Sequence, residues 1–477
     1  MKFYFFFIFF FFVFLCIFNA SQWRLIPRVK LIFRNFFLVE ESPYNIAIFR
    51  IVFFLFILTH LDSWRLATLE FSQWPSAMLD IPMGMKTILT VMPVHPDQVA
   101  KMIDVFVIAC FLGLVGLFAR LASLVAAITG IYVMGIAQCY GKVDHIHHFI
   151  WFMLILSASR CSDVLSIDSI LRSWCQAKEG TTTKIENSVI YTWPLRFIWL
   201  LIGLIYFFPG FWKLVGSDNW SWSDNLKYQL YNQWFNLGGW VPSFRIDQHP
   251  WVYKISAVGV ICFELLFIVF ILFSFLRPIA VIVGLLFHQL IYMFMGIDFF
   301  NLQFCYIAFI NWAGLFSIRA SPTKTQSLKK LVFDERIIQC IGVFLLVVNA
   351  YFGAREIITA WPFACYPTFA GNLQEAKIET IKAYGLKGHE EKLLEFDTLK
   401  QGMEAFRFTS MINNILAMPQ GLEKRDRLKA LITLMKGQGM DLRDYSRIRF
   451  YKVIRSTQPE RRNDPPLSRE VLAEINL

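Results

Sequence analysis

Long runs of apolar residues, separated by short polar turns, constrain this chain more than any other feature of its sequence. A run of about 18 or more apolar residues can cross a bilayer as a helix, in which the backbone hydrogen bonds are made within the segment. The mean hydropathy is positive, at +0.49. We therefore expect an all-α polytopic membrane protein, a bundle of about eight to ten transmembrane helices with a small, mostly helical soluble C-terminal region. Besides residues 1–20, the expected spans lie at 44–62, 102–119, 121–140, 147–160, 190–208, 252–276, 278–297, 299–318 and 336–353.

The positive charge of this chain indicates its orientation in the bilayer and not a nucleic-acid partner. The formal net charge is +11, but only 17% of the residues are charged. With residues 20–43 placed in the cytoplasm, most basic residues of the short loops fall on the cytoplasmic side, as membrane proteins prefer. The opposite side then carries residues 144–148 and 212–251, which include Lys213. The nine cysteines form no CxxC pair, so a zinc ribbon and a thioredoxin-like motif are excluded.

Five regions follow from these patterns. They are an N-terminal hydrophobic anchor or signal segment at 1–20, a basic juxtamembrane segment at 21–43, a transmembrane domain at 44–320, an additional transmembrane helix at 321–353, and a non-cytoplasmic C-terminal region at 354–477. Two prolines among aromatic residues at 360–371 predict a non-helical interfacial ledge. Beyond it, apolar spacing predicts helices at 372–384, 390–416 and 422–437. Partial alternation predicts a strand at 447–454, and the tail from Gln458 is expected to be loose.

One lysine stands out at the end of an apolar run. We expect a helix from about residue 191 to 208, stopped by Pro209 and Gly210, with Lys213 just beyond it among Phe and Trp. An amine held against aromatic and lipid surface loses its hydration shell, which favours its neutral, basic form. Neutral lysine is a usable general base or nucleophile. The alternative is that Lys213 is an interfacial anchor that reaches the membrane surface.

Three histidines and an aspartate open the short span at 147–160. On a helix, Asp144 and His148 lie one turn apart and are expected to pair, whereas His147 points into the bundle. Ionisable groups at this depth are costly unless they have partners, so the cluster is a candidate site. The alternative is an interfacial cluster without chemistry. No second histidine box exists among the eight histidines, which excludes a di-iron desaturase, and no metal site is expected.

Two further polar residues interrupt apolar spans, and each is expected to turn inward and find a partner. Glu264 most simply supports the structure through a hydrogen bond or ion pair. His288, with Gln289 and Tyr292, is a candidate pocket residue. Together with Lys213 these residues predict a polar pocket inside an aromatic bundle, suited to a lipid-soluble ring with polar ends.

The order of four spaced motifs resembles the vitamin K-dependent gamma-carboxylase family and its bacterial relatives, the horizontally transferred transmembrane (HTTM) domain proteins. The resemblance covers about residues 40 to 320. Its motifs are SPYNIAIFR at 42–50, the histidine cluster with SID at 166–168, PGFWKL at 209–214, and FHQL at 287–290 followed by GIDFF at 296–300.

The resemblance implies a membrane enzyme with Lys213, His147 and His288 as catalytic residues. Lys213 matches the lysine base that deprotonates vitamin K hydroquinone, after which the oxygenated quinone removes a glutamate γ-proton and carbon dioxide traps the carbanion. The two histidines would be partners of the quinone oxygens or would stabilise charge. We expect further cofactor contacts from four residues, His148, Phe211, Trp212 and Tyr292.

The expected cofactor is vitamin K hydroquinone or another quinol, with carbon dioxide and oxygen as co-substrates of a true carboxylase. The expected partners are the lipid bilayer and a protein or peptide substrate on the non-cytoplasmic side, in a bacterial inner membrane. Two departures from the family are evident: a tryptophan at position 212 replaces one of a pair of lysines, and no large substrate-binding module follows the membrane part. The rival hypothesis is a non-catalytic membrane protein that binds a lipid or a partner in the same cavity. A transporter ranks third because no inverted repeat is apparent.

Overall fold

The computed structural model describes residues 27–181, 185–216, 219–317, 328–365, 367–394, 405–437 and 439–477. The expected anchor or signal segment at 1–20 lies outside the described residues. The first helices are α1 (Pro27–Phe37), α2 (Pro43–Thr59), α3 (Leu61–Ser72), α4 (Met85–Val91), α5 (Pro96–Val115), α6 (Ala119–Ile136), α7 (His148–Ala158) and α8 (Ile167–Lys178). They are followed by α9 (Val189–Val215), α10 (Asn225–Asn236), α11 (Pro250–Phe270), α12 (Arg277–Met295), α13 (Phe300–Phe304), α14 (Trp312–Leu315) and α15 (Leu328–Ala354).

The helices form a multi-pass membrane bundle, which confirms the predicted fold class. Among the described residues, six helices are long and apolar enough to cross a bilayer, namely α5, α6, α9, α11, α12 and α15. The pair α2 and α3 makes a seventh candidate span with a 50° bend. Two expected spans are shorter: residues His145–Ala158 form one short apolar helix, and 299–318 is divided into helical pieces. The described bundle thus combines complete spans with short buried helices.

Helix α9 lies at the centre of the bundle and contradicts one expectation. It runs for 27 residues through Pro194 and Pro209, so the predicted stop at Pro209 is wrong. A proline inside a helix costs about 3 kcal/mol, but burial against neighbouring helices can offset such a local cost in a membrane bundle. Gly210 permits the close approach of α11, since a Cβ there would lie 2.7 Å from the Cβ of Glu264. Lys213 therefore lies within the last turn of a buried helix.

The C-terminal region contains a sheet that was mostly missed. Its elements are β1 (Lys377–Lys387), β2 (Glu390–Leu394), α16 (Ala405–Ala417), α17 (Leu422–Gly437), β3 (Arg447–Ser456) and β4 (Ser468–Asn476). The strands are antiparallel in the order β2-β1-β3-β4. The strand expected at 447–454 and the helix expected at 422–437 are confirmed. The helix expected at 372–384 is wrong, and the tail expected to be loose contains β4. Over so few residues apolar spacing fits either period, and pairing with β3 decides the outcome.

The first half of the segment expected to be an interfacial ledge, residues 360–365, is largely buried against the bundle instead. Trp361 is buried, and its indole Nε1 donates a hydrogen bond to the carbonyl of Ile131. The indole of Trp151 on α7 donates to the carbonyl of Pro362 at 2.8 Å. Tyr366 lies outside the described residues. Because Trp361 and Pro362 are held by α6 and α7, this non-helical segment forms part of the core.

Candidate active-site cavity

A cavity of about 1190 Å³ lies between the bundle and the C-terminal region. Its wall includes residues of α7, α9, α11 and α12, the turn at 296–302, and α16. Aromatic and aliphatic side chains supply much of the lining, as is typical of ligand sites. Ionisable side chains of the bundle also line it, among them His145, His147, His148, Lys213, Glu264 and His288. Lys213, His147 and His288, which come from three different helical segments, thus share one cavity.

Lys213 forms an ion pair with Glu264 across the α9–α11 contact. Its Nζ lies 2.7 Å from Oε1 and 2.8 Å from Oε2 of the carboxylate. Lys213 is only 2% exposed, and Glu264 is buried as well. The ring of Trp220 lies 5.5 Å from Nζ, which adds a cation–π contact. The inward partner expected for Glu264 is therefore confirmed. The expectation of an amine surrounded only by apolar groups is wrong, because α11 brings a carboxylate to it.

His288 ends a chain of three hydrogen-bonded side chains. The hydroxyl of Tyr306 donates to the hydroxyl oxygen of Tyr206 at 2.9 Å, and Tyr206 lies 2.5 Å from His288 Nε2. Because Tyr206 already accepts a hydrogen, its own hydrogen is best used when it donates to Nε2. This arrangement places the imidazole hydrogen on Nδ1, which is buried without a hydrogen-bond partner among the described residues. Nδ1 can therefore donate to a ligand oxygen.

The histidine cluster lies at the start of α7, preceded by the 3₁₀ turn His145–His147. His147 packs against Trp151 with ring centroids 4.7 Å apart. His148 is buried against Phe149, and neither of its ring nitrogens has a partner with hydrogen-bonding geometry in the described parts of the chain. The expected pairing of His148 with Asp144 is wrong, since Asp144 binds two cations instead. Nitrogens of His147 and His148 thus remain available to a ligand.

The C-terminal region closes one end of the cavity through Arg407 on α16. Its guanidinium donates to the carbonyls of Ala137, Tyr140 and Lys142, and it forms a salt bridge with Asp144. The ammonium group of Lys142 lies 3.1 Å from the same carboxylate. Arg407 is buried, and residues of the same helix line the cavity. No signal in the sequence placed α16 next to the histidine cluster, because the contact joins segments about 260 residues apart.

Three of the expected cofactor contacts lie away from the cavity. The indole of Trp212 donates to the carbonyl of Gly353 on α15, and Phe211 stacks on Phe207. Tyr292 is 55% exposed on the outer side of α12. None of the three lines the cavity, whereas His148 does. Because α9 continues past Pro209, helical spacing turns positions 211 and 212 away from the face that carries Lys213.

Two tyrosines of the cavity region were missed. Tyr206 lies seven residues before Lys213, so it shares the same face of α9 two turns away. That spacing would have identified it if the helix had been expected to continue. Tyr306 lies in the short 3₁₀ segment Cys305–Phe309, where the sequence shows only an apolar run. Its contact with Tyr206 depends on tertiary packing.

Other motif residues hold the bundle together and do not line the cavity. Arg50 is fully buried and donates to the carbonyls of Gly113 and Leu165 at 3.1 and 2.6 Å. The carboxylate of Asp168 accepts the backbone N–H groups of Phe118 and Ala119 at the start of α6. These contacts satisfy the N–H groups of a helix end, which is a structural role. The motifs at 42–50 and 166–168 thus mark the scaffold and not the site.

Comparison with known proteins gives one family match. The model of the HTTM domain matches residues 39–313, which is more than half of the chain. This range contains the ion pair, the histidine cluster and His288, but not α16. A search of curated proteins finds no match. A search of solved structures finds none either.

Proposed function

This chain belongs to the HTTM domain family, and we propose that it is a membrane-embedded, carboxylase-related enzyme that removes a proton from a lipid-soluble quinol. The observation that carries the proposal is the convergence of Lys213, His147 and His288 on one largely apolar cavity. Clefts of about 300–1000 Å³ are typical of sites for small ligands, so this cavity can take a bicyclic ring together with part of a second substrate.

The residues present fit a quinol. Aromatic walls suit a fused ring, and the unpartnered ring nitrogens of His147, His148 and His288 suit its oxygens. Lys213 and Glu264 lie on the same cavity wall and are the groups that exchange a proton. Burial excludes water that would compete for that proton.

A quinol of the vitamin K type would supply, together with oxygen, the base strength needed to remove a carbon-bound proton before carboxylation by carbon dioxide. The chain's own part is to bind the ring, orient its hydroxyl group and take its proton. We further propose that the cavity opens on the non-cytoplasmic side of a bacterial inner membrane. A protein or peptide substrate would reach it from that side, where the C-terminal region lies.

Non-catalytic binding of a lipid is the second candidate. The observation that favours it is the closed Lys213–Glu264 pair, in which both carboxylate oxygens contact the amine. A pair of this kind can stabilise the contact between two helices without any catalytic role. The two candidates differ in whether Lys213 is needed for turnover.

The test begins with purification in mild detergent, extraction of bound lipids and their identification by mass spectrometry. Quinol epoxidation is then measured for wild type, for Lys213→Ala, and for Lys227→Ala as a control lysine outside the cavity. We expect a co-purifying quinone and a loss of turnover of about 100-fold in Lys213→Ala alone. If no quinone is extracted and the variants match wild type, the enzyme hypothesis fails. A bound lipid without turnover would favour the non-catalytic candidate.

A further inference from the structure

The geometry of the Lys213–Glu264 contact indicates which of the two groups carries the proton. The nitrogen lies at nearly equal distances, 2.7 and 2.8 Å, from the two carboxylate oxygens. An ammonium beside a carboxylate makes two similar short contacts, because it offers two N–H donors to two acceptor oxygens. A neutral amine beside a carboxylic acid would make two unlike contacts, one in which the acid O–H donates to the nitrogen and one in which an N–H donates to the carbonyl oxygen. The nearly equal distances therefore favour a resting lysine that is a cation, and a cation has no lone pair with which to accept a proton.

The Lys213–Glu264 contact results from the close packing of α9 on α11. Gly210 lies one turn before Lys213, and any side chain there would collide with Glu264 and Leu265. The close approach of the two helices at Gly210 brings the carboxylate within reach of Nζ. Both groups are buried, and both line the cavity with His288. A pair buried in this way has no net charge, which limits the cost of placing it in an apolar site.

We infer that Glu264 is the group that receives the ligand's proton, while Lys213 remains a cation beside the oxygen that has lost it. This inference rests on the proposed function and names the proton acceptor of that site. In the step, the O–H bond of a ligand hydroxyl breaks and an O–H bond forms on Glu264. The proton moves directly or by exchange through Nζ. The electron pair stays on the ligand oxygen, next to the ammonium.

The charge balance supports this assignment. Before the step, the pair is neutral and the ligand is neutral. After it, the pair carries one positive charge and the ligand one negative charge, so the cavity as a whole gains none. A buried ammonium without Glu264 would be an unbalanced charge before the step and would leave the ligand's proton without an acceptor. Isolated charges in apolar surroundings are costly, and the pair avoids that cost at both stages.

Infrared difference spectroscopy of the full-length protein in detergent tests the inference. The probe is 2-hydroxy-1,4-naphthoquinone, an acidic bicyclic compound that is an anion at neutral pH. We expect no protonated carboxyl band from Glu264 in the protein without probe. On binding, one carboxylic acid C=O band should appear as carboxylate intensity is lost, because the pair takes up one proton to balance the bound anion. The band should be missing in Glu264→Gln and displaced in Glu264→Asp.

Turnover supplies the second measurement. We expect quinol-dependent activity to fall about 100-fold in Glu264→Gln and to recover partly in Glu264→Asp, with probe affinity within about tenfold of wild type. A Glu264 acid band already present without probe and unchanged on binding would overturn the inference, because the amine would then be the acceptor. Full activity of Glu264→Gln would overturn it too. If Glu264→Gln fails to fold, the double variant Lys213→Met/Glu264→Gln provides the spectral blank, since removal of both charges is tolerated better than removal of one.

The outcomes separate the two proposals. If wild type does not bind the naphthoquinone, the proposed function fails, and the inference fails with it. If wild type binds the probe and turns over quinol but Glu264 stays ionised, only the inference fails.

Discussion

Two clusters of buried polar side chains show how this bundle uses such groups. Near the start of α8, the carboxylate of Asp163 contacts Arg160 at 2.6 Å, Tyr191 at 2.7 Å and Arg172 at 3.1 Å. Neither of its oxygens lacks a partner. In the cavity, by contrast, neither ring nitrogen of His148 makes a contact of good hydrogen-bonding geometry with the described chain. Asp163 and His148 are both buried, but only His148 has hydrogen-bonding capacity left for a ligand.

The difference teaches how to separate scaffold from site. A buried polar group that lacks a partner costs about 1–3 kcal/mol, so native proteins rarely keep one without a use. Both carboxylate oxygens of Asp163 already accept hydrogen bonds within the protein, as expected of a structural contact between the α7–α8 connection, α8 and α9. The cavity histidines keep buried ring nitrogens without good hydrogen bonds, and a ligand that bonds to them would remove that free-energy cost. Four changes test this comparison.

The largest effect is expected for Asp163→Ala. The change leaves Arg160 and Tyr191 without their shared acceptor in a buried site, and such losses cost about 3–5 kcal/mol. Thermal unfolding in detergent, followed by intrinsic fluorescence, should show a large drop in the midpoint temperature. Asp163→Asn is the matched control and should lose less. A loss under about 1 kcal/mol would contradict the structural role of the cluster.

A smaller loss is expected for Arg407→Ala. The variant removes three hydrogen bonds to backbone carbonyls of the segment 137–142, and hydrogen bonds to charged groups are worth about 1.5–3 kcal/mol. Asp144 keeps Lys142 as a partner, which limits the damage. Limited proteolysis should cut the C-terminal region faster than in wild type. Unchanged protection would show that α16 is held by other contacts.

The pH dependence of stability offers a third test, at Asp247 outside the membrane spans. Burial alone would raise the pKa of Asp247, but hydrogen bonds from Arg245 and Tyr231 outweigh it and lower the pKa below its ordinary value of 3.8. A lowered pKa in the folded protein means that the stabilisation is present above the unfolded value and is lost as pH falls through the folded value.

We therefore expect wild type to lose part of its stability as the pH falls below about 4, and Asp247→Asn to lack that part. Unfolding midpoints measured at several pH values for the two proteins check this. Curves that stay parallel at acidic pH would show that the Arg245 contact does not stabilise the charged carboxylate.

The smallest effect on stability is expected for His148→Leu. The imidazole makes no contact of good hydrogen-bonding geometry that the change could break, only weaker ones with the backbone of His145 and Asn301, and a swap of similar volume usually costs less than about 1.5 kcal/mol. Naphthoquinone binding should nevertheless weaken about tenfold, because a donor or acceptor to the ligand is lost. Unchanged binding together with a large loss of stability would reverse the comparison, making His148 scaffold.

The sequence alone predicted the membrane bundle, because insertion into a bilayer depends on hydropathy and on the length of apolar runs, which are local properties of the sequence. It also predicted that Glu264 and His288 turn inward, since charged and polar groups rarely face lipid. The C-terminal sheet was mostly missed, because strand pairing joins residues far apart in the chain and leaves only a weak local pattern.

What only the tertiary structure decided is which polar groups meet. Helix α9 continues through Pro209, and Gly210 admits α11, so Lys213 receives Glu264 as its partner while Phe211 and Trp212 face elsewhere. The first outcome depends on the packing of α11, a helix about fifty residues away, and the second depends on the continuation of α9 through Pro209. Apolar length therefore determined that this chain lies in a membrane, and helix packing determined which of its buried polar groups meet.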